Sequence, residues 1–323
     1  MNRKKSAALL ALLLLTAFVL TGCMWNNPFG PGLRVFNPFS FLTSRSYTIN
    51  ESASLSIDGF EYLNLNGHVK EMRLVPGTGN KFEFELKGTI RANFKPKLMV
   101  ETSGGTVTVR THESTLKSAN IVRNELILTV TVPESFNGHI DGTTISGKIS
   151  ASDLALTSLH LSTVSGAITG GNIKGDTLKW STVSGGIESL SLEANRLDFS
   201  TVSGKISLTD AFTDHVELKT VSGGIEIAGD MERVTAKTTS GRIQVRLQDL
   251  KGNLHLSSVS GSVLLDIRGQ ADYSLHFTTV TGGFDGEDRL TIERIRNNNI
   301  TATKGAGTYT VRVNTTSGKL TIN

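Results

Sequence analysis

The sequence predicts an all-β protein, a β-solenoid of parallel β-helix-like form with coils of about 19 residues and a β-rich N-terminal cap. Three observations predict it. Thr-Val-Ser-Gly or a near copy recurs on a regular beat, apolar residues alternate on either side of it, and 33 glycines accompany only 6 prolines and 1 cysteine. Self-similarity at such a period marks stacked repeats, alternation is strand spacing, and this composition favours turn-rich β structure over collagen or a disulfide scaffold.

Taken in order, the first segment stands apart from the fold. Arg3, Lys4 and Lys5 lead into an apolar run from Ala7 to Leu20, closed by Leu20-Thr21-Gly22-Cys23. The run is too short for the ~20 residues of a spanning helix, and its order is that of a secretory signal. It resembles the bacterial lipoprotein signal, in which Leu-Thr-Gly-Cys is the lipobox; that resemblance implies cleavage after residue 22 and a diacylglyceryl group on Cys23. Residues 1–22 are then a lipoprotein signal peptide, and their loss lowers the formal charge from +4 to +1 because three cations and no acid depart. The case for a nucleic-acid partner goes with them. The expected partner is a membrane, through the lipid. The expected location is extracytoplasmic, on the outer surface of the cytoplasmic membrane or on the outer membrane of a two-membrane cell.

Residues 23–45 read as a lipid-anchored flexible tether, since three prolines fall within eleven residues beside glycine and asparagine. Its Trp25, Phe29, Phe36, Phe39 and Phe41 either touch the membrane interface or cover the first turn of the body. Residues 46–140 hold strand-like stretches at irregular intervals, such as "EYLNLNG" (61–67), "KFEFELKG" (81–88) and "ELILTVTV" (125–132), and read as a β-rich N-terminal portion.

Residues 141–323 carry the repeat. The motif glycines are Gly147, Gly166, Gly185, Gly204, Gly223, Gly241, Gly261 and Gly282, at intervals of 19, 19, 19, 19, 18, 20 and 21, and Gly318 closes the series. Seven residues before them stand Ile140, Leu159, Leu178, Leu197, Val216, Val234, Leu254 and Leu275; two residues after stand six isoleucines, Val263 and Phe284. The alternation slips where Thr and Val adjoin, and a slip followed by Gly means a corner, so these glycines read as structural turn residues. A second turn is expected in the variable stretch, as in "TGGNIKGD" (169–176). Residues 285–305 break the beat and read as a hairpin excursion or a differently shaped coil, and "YTVRVNTTSGKLTIN" (309–323) returns to it.

Chemistry is sparse. No Gly-x-Ser-x-Gly, Gly-x-x-x-x-Gly-Lys-Ser/Thr or His-Glu-x-x-His occurs, and no cofactor, metal or catalytic set is expected. The outward column six before the glycine would set Lys179 beside Asp198 and Asp198 beside Glu217, and stack His255 on His276. The acidic pair is the best candidate for a glycosidic acid/base couple and the imidazoles for a metal pair, against the simpler reading of a solvated ladder. Eight copies of a catalytic serine make no sense, whereas eight copies of a corner residue do.

The repeated Thr-Val-Ser-Gly-x-Ile, with the lead-in ending near "ELILTVTVP" (125–133), resembles a bacterial domain-of-unknown-function family labelled "putative adhesin", over about residues 50–323. The resemblance implies a β-solenoid body and an envelope setting, and it carries no binding residues. Together these features lead to a non-enzymatic envelope lipoprotein that displays a β-solenoid for adhesion, for binding a cell-envelope polymer, glycan or envelope protein, or for sensing envelope stress. The alternative is a carbohydrate-active β-helix enzyme using Asp198 and Glu217.

Overall fold

Stretches that alternate apolar and polar residues form strands, because side chains two apart share one face of extended chain. The computed structural model describes residues 44–112, 120–269, 271–296 and 298–323, and among these the architecture is all-β, with 24 strands.

Eight strands precede the repeats: β1 (Arg45–Ser56), β2 (Tyr62–Gly67), β3 (Glu71–Gly77), β4 (Lys81–Ala92), β5 (Met99–Ser103), β6 (Thr106–Arg110), β7 (Ile121–Asn124) and β8 (Ile127–Pro133). β2 and β3 flank a corner and pair in parallel with β9 (His139–Thr144) and β10 (Lys148–Thr163), Leu63 opposite Ile140 and Met72 opposite Ile149. β6 and β8 form the next layer in the same sense, Val107 opposite Leu63 and Leu128 opposite Met72. Then the direction reverses. β4 runs antiparallel to β7 and β8, β1 antiparallel to β4, and β5 folds back on β6 through a hairpin at Gly104 and Gly105.

The regular repeats occupy β10, β11 (Ile168–Thr182), β12 (Ile187–Ser189), β13 (Leu192–Ser200), β14 (Ile206–Lys219), β15 (Ile225–Thr238), β16 (Ile243–Leu247), β17 (Leu254–Ser258) and β18 (Val263–Ile267). All pair in parallel, each residue with its counterpart in the next copy: Leu159 with Leu178, Leu178 with Leu197, Leu197 with Val216. Like therefore meets like, and both apolar columns are shut off from solvent. Trp180 stacks on Phe199 with ring centroids 4.5 Å apart and planes 7° apart. Room for the indole comes from Gly170, where a Cβ would lie 2.1 Å from the ring.

The second turn expected within 169–176 is present. Asp153, Asn172 and Asp210, each six residues past a motif glycine, have φ of 56°, 51° and 52°. Asn and Asp tolerate this left-handed region better than other side-chain-bearing residues. A further bend follows, where the parallel ladder skips Thr157, Asp176, Asn195 and Asp214.

Near its far end the stack departs from chain order. The remaining strands are β19 (Tyr273–Thr278), β20 (Phe284–Asp285), β21 (Thr291–Arg296), β22 (Asn299–Lys304), β23 (Tyr309–Thr315) and β24 (Leu320–Ile322). β23 is inserted between β17 and β19, its Val311 pairing with Leu254 on one side and Leu275 on the other. β24 is likewise inserted between β18 and β20. The expected stacking of His255 on His276 is thereby overturned, because Arg312 occupies the register position between them. Residues 285–305 contain the hairpin β21–β22, whose β22 lies antiparallel on β19.

Candidate functional site

Each corner is built around a buried hydroxyl. Thr182 Oγ1 donates to the Gly166 carbonyl at 2.9 Å and accepts from the Gly185 N–H at 3.1 Å, so one side chain ties its own corner to the preceding one. Thr163, Thr201, Thr220, Thr238 and Ser258 repeat the arrangement. Sequence reasoning missed this role because threonine is also a good strand former. The one available signal was that position three before the glycine is Thr or Ser in every copy.

The nine motif glycines lie at these corners, and none has positive φ. What they need is closeness. A Cβ at Gly185, Gly204, Gly223 or Gly241 would stand 1.7–1.8 Å from the carbonyl oxygen of the glycine in the adjacent copy. Gly166 and Gly261 are equally tight against Gly147 and Gly241, while Gly318 faces Gly261 at 2.0 Å and Gly282 faces Gly318 at 2.1 Å. Gly147 begins the file against the Val69 carbonyl, at 2.3 Å. The valine between Thr and Ser points outward, with Val164, Val183 and Val280 exposed.

The strand before the corner presents an outer face of three side-chain columns. Adjacent rungs place Lys179, Asp198, Glu217, Thr235, His255, Arg312 and His276 in one file. Asp198 and Glu217 are neighbours in register, as expected, but Glu217 is committed elsewhere: Lys219 contacts it at 2.5 Å and Arg196 at 3.4 Å. The Lys219 hydrogen bond, ahead of the other cations, holds the Glu217 carboxyl below the usual carboxylate range. A general acid needs the opposite shift. Lower in the same file His160 contacts Asp141 at 3.0 Å.

Two imidazoles on this face are held below the ordinary histidine pKa. Burial is the leading cause for both, followed by Arg196 and Arg233 at His215, and by Lys237 and Arg312 at His255. A groove of about 600 Å³ lies at the other bends, with Lys174, Glu193, Asn195 and Phe212 among its walls; Lys174 is already paired with Glu193, and Asn195 with Asp176. Among the described residues no group of three or more His, Cys, Asp or Glu could hold a metal ion. Cys23, the expected lipidation site, and the tether aromatics lie outside the described residues.

Parallel strand repeats joined at hydroxyl-braced corners define an all-β protein whose sheet is extended copy by copy. The chain belongs to the Toastrack DUF4097 family, which matches residues 60–323. Among solved structures it is similar to a putative lipid binding protein from Parabacteroides distasonis, at 14% identity over 85% of this chain and 96% of that one, with a TM-score of 0.52. It also matches a putative adhesin from Parabacteroides merdae, at 14% identity over 85% and 96% of the two chains with a TM-score of 0.49, and one from Bacteroides fragilis, at 14% over 85% and 97% with 0.43. The first of these likenesses speaks to the fold alone. No curated protein matches the chain. The family resemblance drawn from the repeats is met by the domain-of-unknown-function match over residues 60–323.

Proposed function

We propose that this chain is a lipid-anchored envelope protein that displays its body for binding and not for catalysis. Residues 1–22 are the lipoprotein signal, Cys23 carries the lipid, and 23–45 form the tether. The body is a β-solenoid with coils of about 19 residues, begun and capped by the β-rich portion 46–140 and continued through 141–323. Its partner is a cell-envelope polymer, a glycan or an envelope protein outside the cytoplasm.

The observation that carries this reading is the outer face, where exposed polar and charged side chains from successive copies stand in register. Such a surface suits an extended ligand that makes many similar contacts. The acid/base alternative loses support from Glu217, whose carboxyl is already in an ion pair with Lys219.

Fractionation of cells making the full chain tests the anchor, and binding of isolated envelope material tests the role. The full chain is expected in the detergent-extractable membrane fraction, and Cys23→Ala in the soluble extracytoplasmic fraction. A full chain that retained no envelope polymer and no envelope protein would defeat the binding role.

A further inference from the structure

The outer face is more strongly charged than the chain as a whole. From the copy ending at Gly185 to the one ending at Gly318, its three columns hold the exposed cations Lys179, Arg196, Lys219, Arg233, Lys237 and Arg312, against only Asp198 and Glu217. Six cations face two carboxylates, although residues 23–323 carry a formal charge of only +1. Glu217 is shared by Lys219 and Arg196. Lys179, Arg233, Lys237 and Arg312 form no ion pair among the described residues.

Position adds to sign. Lys219 and Lys237 are direct register partners in one column, and Arg196, His215 and Arg233 are successive partners in another. In the middle column His255 is followed by Arg312. The cations therefore follow the stack axis over several rungs, at the ~4.8 Å spacing of neighbouring strands. That spacing is comparable with the length of one sugar ring in an extended chain. Interspersed Ser200, Thr235, Ser257 and Asn314 supply hydroxyls and an amide between the charges.

We propose that this face binds a linear acidic polysaccharide bearing about one carboxylate per sugar, laid along the stack axis so that successive sugars meet successive rungs. Lys237, Arg233 and Arg312 hold the carboxylates, with Arg presenting a paired N–H fork to each. The neighbouring hydroxyls take the sugar hydroxyls. This deepens the reading of an envelope-polymer binder and rests on it.

The test uses the full chain on a surface, with polygalacturonate as the probe and its methyl-esterified form as the uncharged control. Expected are binding of the free acid, at least tenfold weaker binding of the ester, and steady weakening as salt rises through screening. Lys237→Glu with Arg312→Glu should weaken binding tenfold or more, whereas Lys81→Glu with Lys174→Glu, away from this face, should leave it within twofold. Equal binding of acid and ester overturns the proposal, as does indifference to the Lys237 and Arg312 reversals. Anionic phospholipid vesicles and inorganic polyphosphate form a further arm: preference for either, lost on the same reversals, replaces the sugar acid with a phosphate ligand and overturns the polysaccharide assignment. Isolated envelope material separates the two levels. Retention that survives the reversals sinks this face while leaving the envelope-binding role standing, and absence of any retention sinks both.

Discussion

At the scale of single residues, one methyl group too many is enough to disturb the corner. A methyl group at Gly204 would sit 1.7 Å from the Gly185 carbonyl oxygen, a backbone atom that cannot swing aside. Gly204→Ala should therefore cost about 3 kcal/mol or prevent folding, as overpacking does when nothing can relax. Gly171 has no atom within 4 Å of the same virtual methyl and no positive φ, so Gly171→Ala should be neutral or stabilising by about 0.4–1 kcal/mol, through a less flexible unfolded chain. Urea denaturation of the two variants measures the contrast. Thr201→Val keeps the shape but strips the hydroxyl, leaving the Gly204 N–H and the Gly185 carbonyl without this partner. A loss of about 1–3 kcal/mol is expected in the same assay, whereas Thr201→Ser should keep most of the stability. The glycines were visible in the sequence as corners. Their reason was not, because a close approach between copies depends on register, and an interval of 19 residues says nothing about which atom faces which.

At the scale of elements, alternation made most strands legible, and the breaks in it marked the corners. The pairing choices of the end strands were hidden. β2 and β3 lie beneath β9 and β10 although 77 residues separate Leu63 from Ile140, where neighbouring rungs of the regular repeats lie about 19 residues apart. Nothing local in Val311 or Val313 announces that they will lie between Leu254 and Leu275. This insertion has a measurable sign: amides of β23 should exchange with solvent as slowly as those of β17, while those of exposed β21 exchange quickly. Fast exchange in β23 would contradict its place in the stack. The lower layers carry a second sign. His68 and His112 follow β2 and β6, their ring centroids 4.0 Å apart, and burial, aided by Arg110, pushes the His112 imidazole below its ordinary pKa. The unfolded chain then takes up this proton before the folded one. Stability is full above the unfolded histidine value of about 6.5 and declines as pH falls through it. His112→Asn should flatten that decline in thermal melts run between pH 8 and pH 5; an unchanged slope would assign it to other groups.

At the scale of the whole molecule, each end of the described stack is finished by strands that break the parallel pattern. β1 and β4 reverse direction at one end, and β22 and β21 at the other, where Glu293, Arg294 and Arg296 place charge on the outer strand. Charged edges discourage another chain from adding itself to the sheet. Replacing residues 287–306 with a short glycine-serine linker should bare β19 and drive end-to-end association, seen as concentration-dependent growth in sedimentation velocity; a variant that stayed monomeric would show that β22 is not the guard. The insertion of β23 and β24 also sets a timetable. A chain emerging from the ribosome or a translocation channel delivers β19 and the hairpin before the two strands that must lie beneath them. Growth by simple addition can proceed only as far as β18, and whatever forms afterwards must wait, or open again, to admit residues 309–322. The upper end of the stack is thus assembled out of order, and its closure reports that the late segment has arrived.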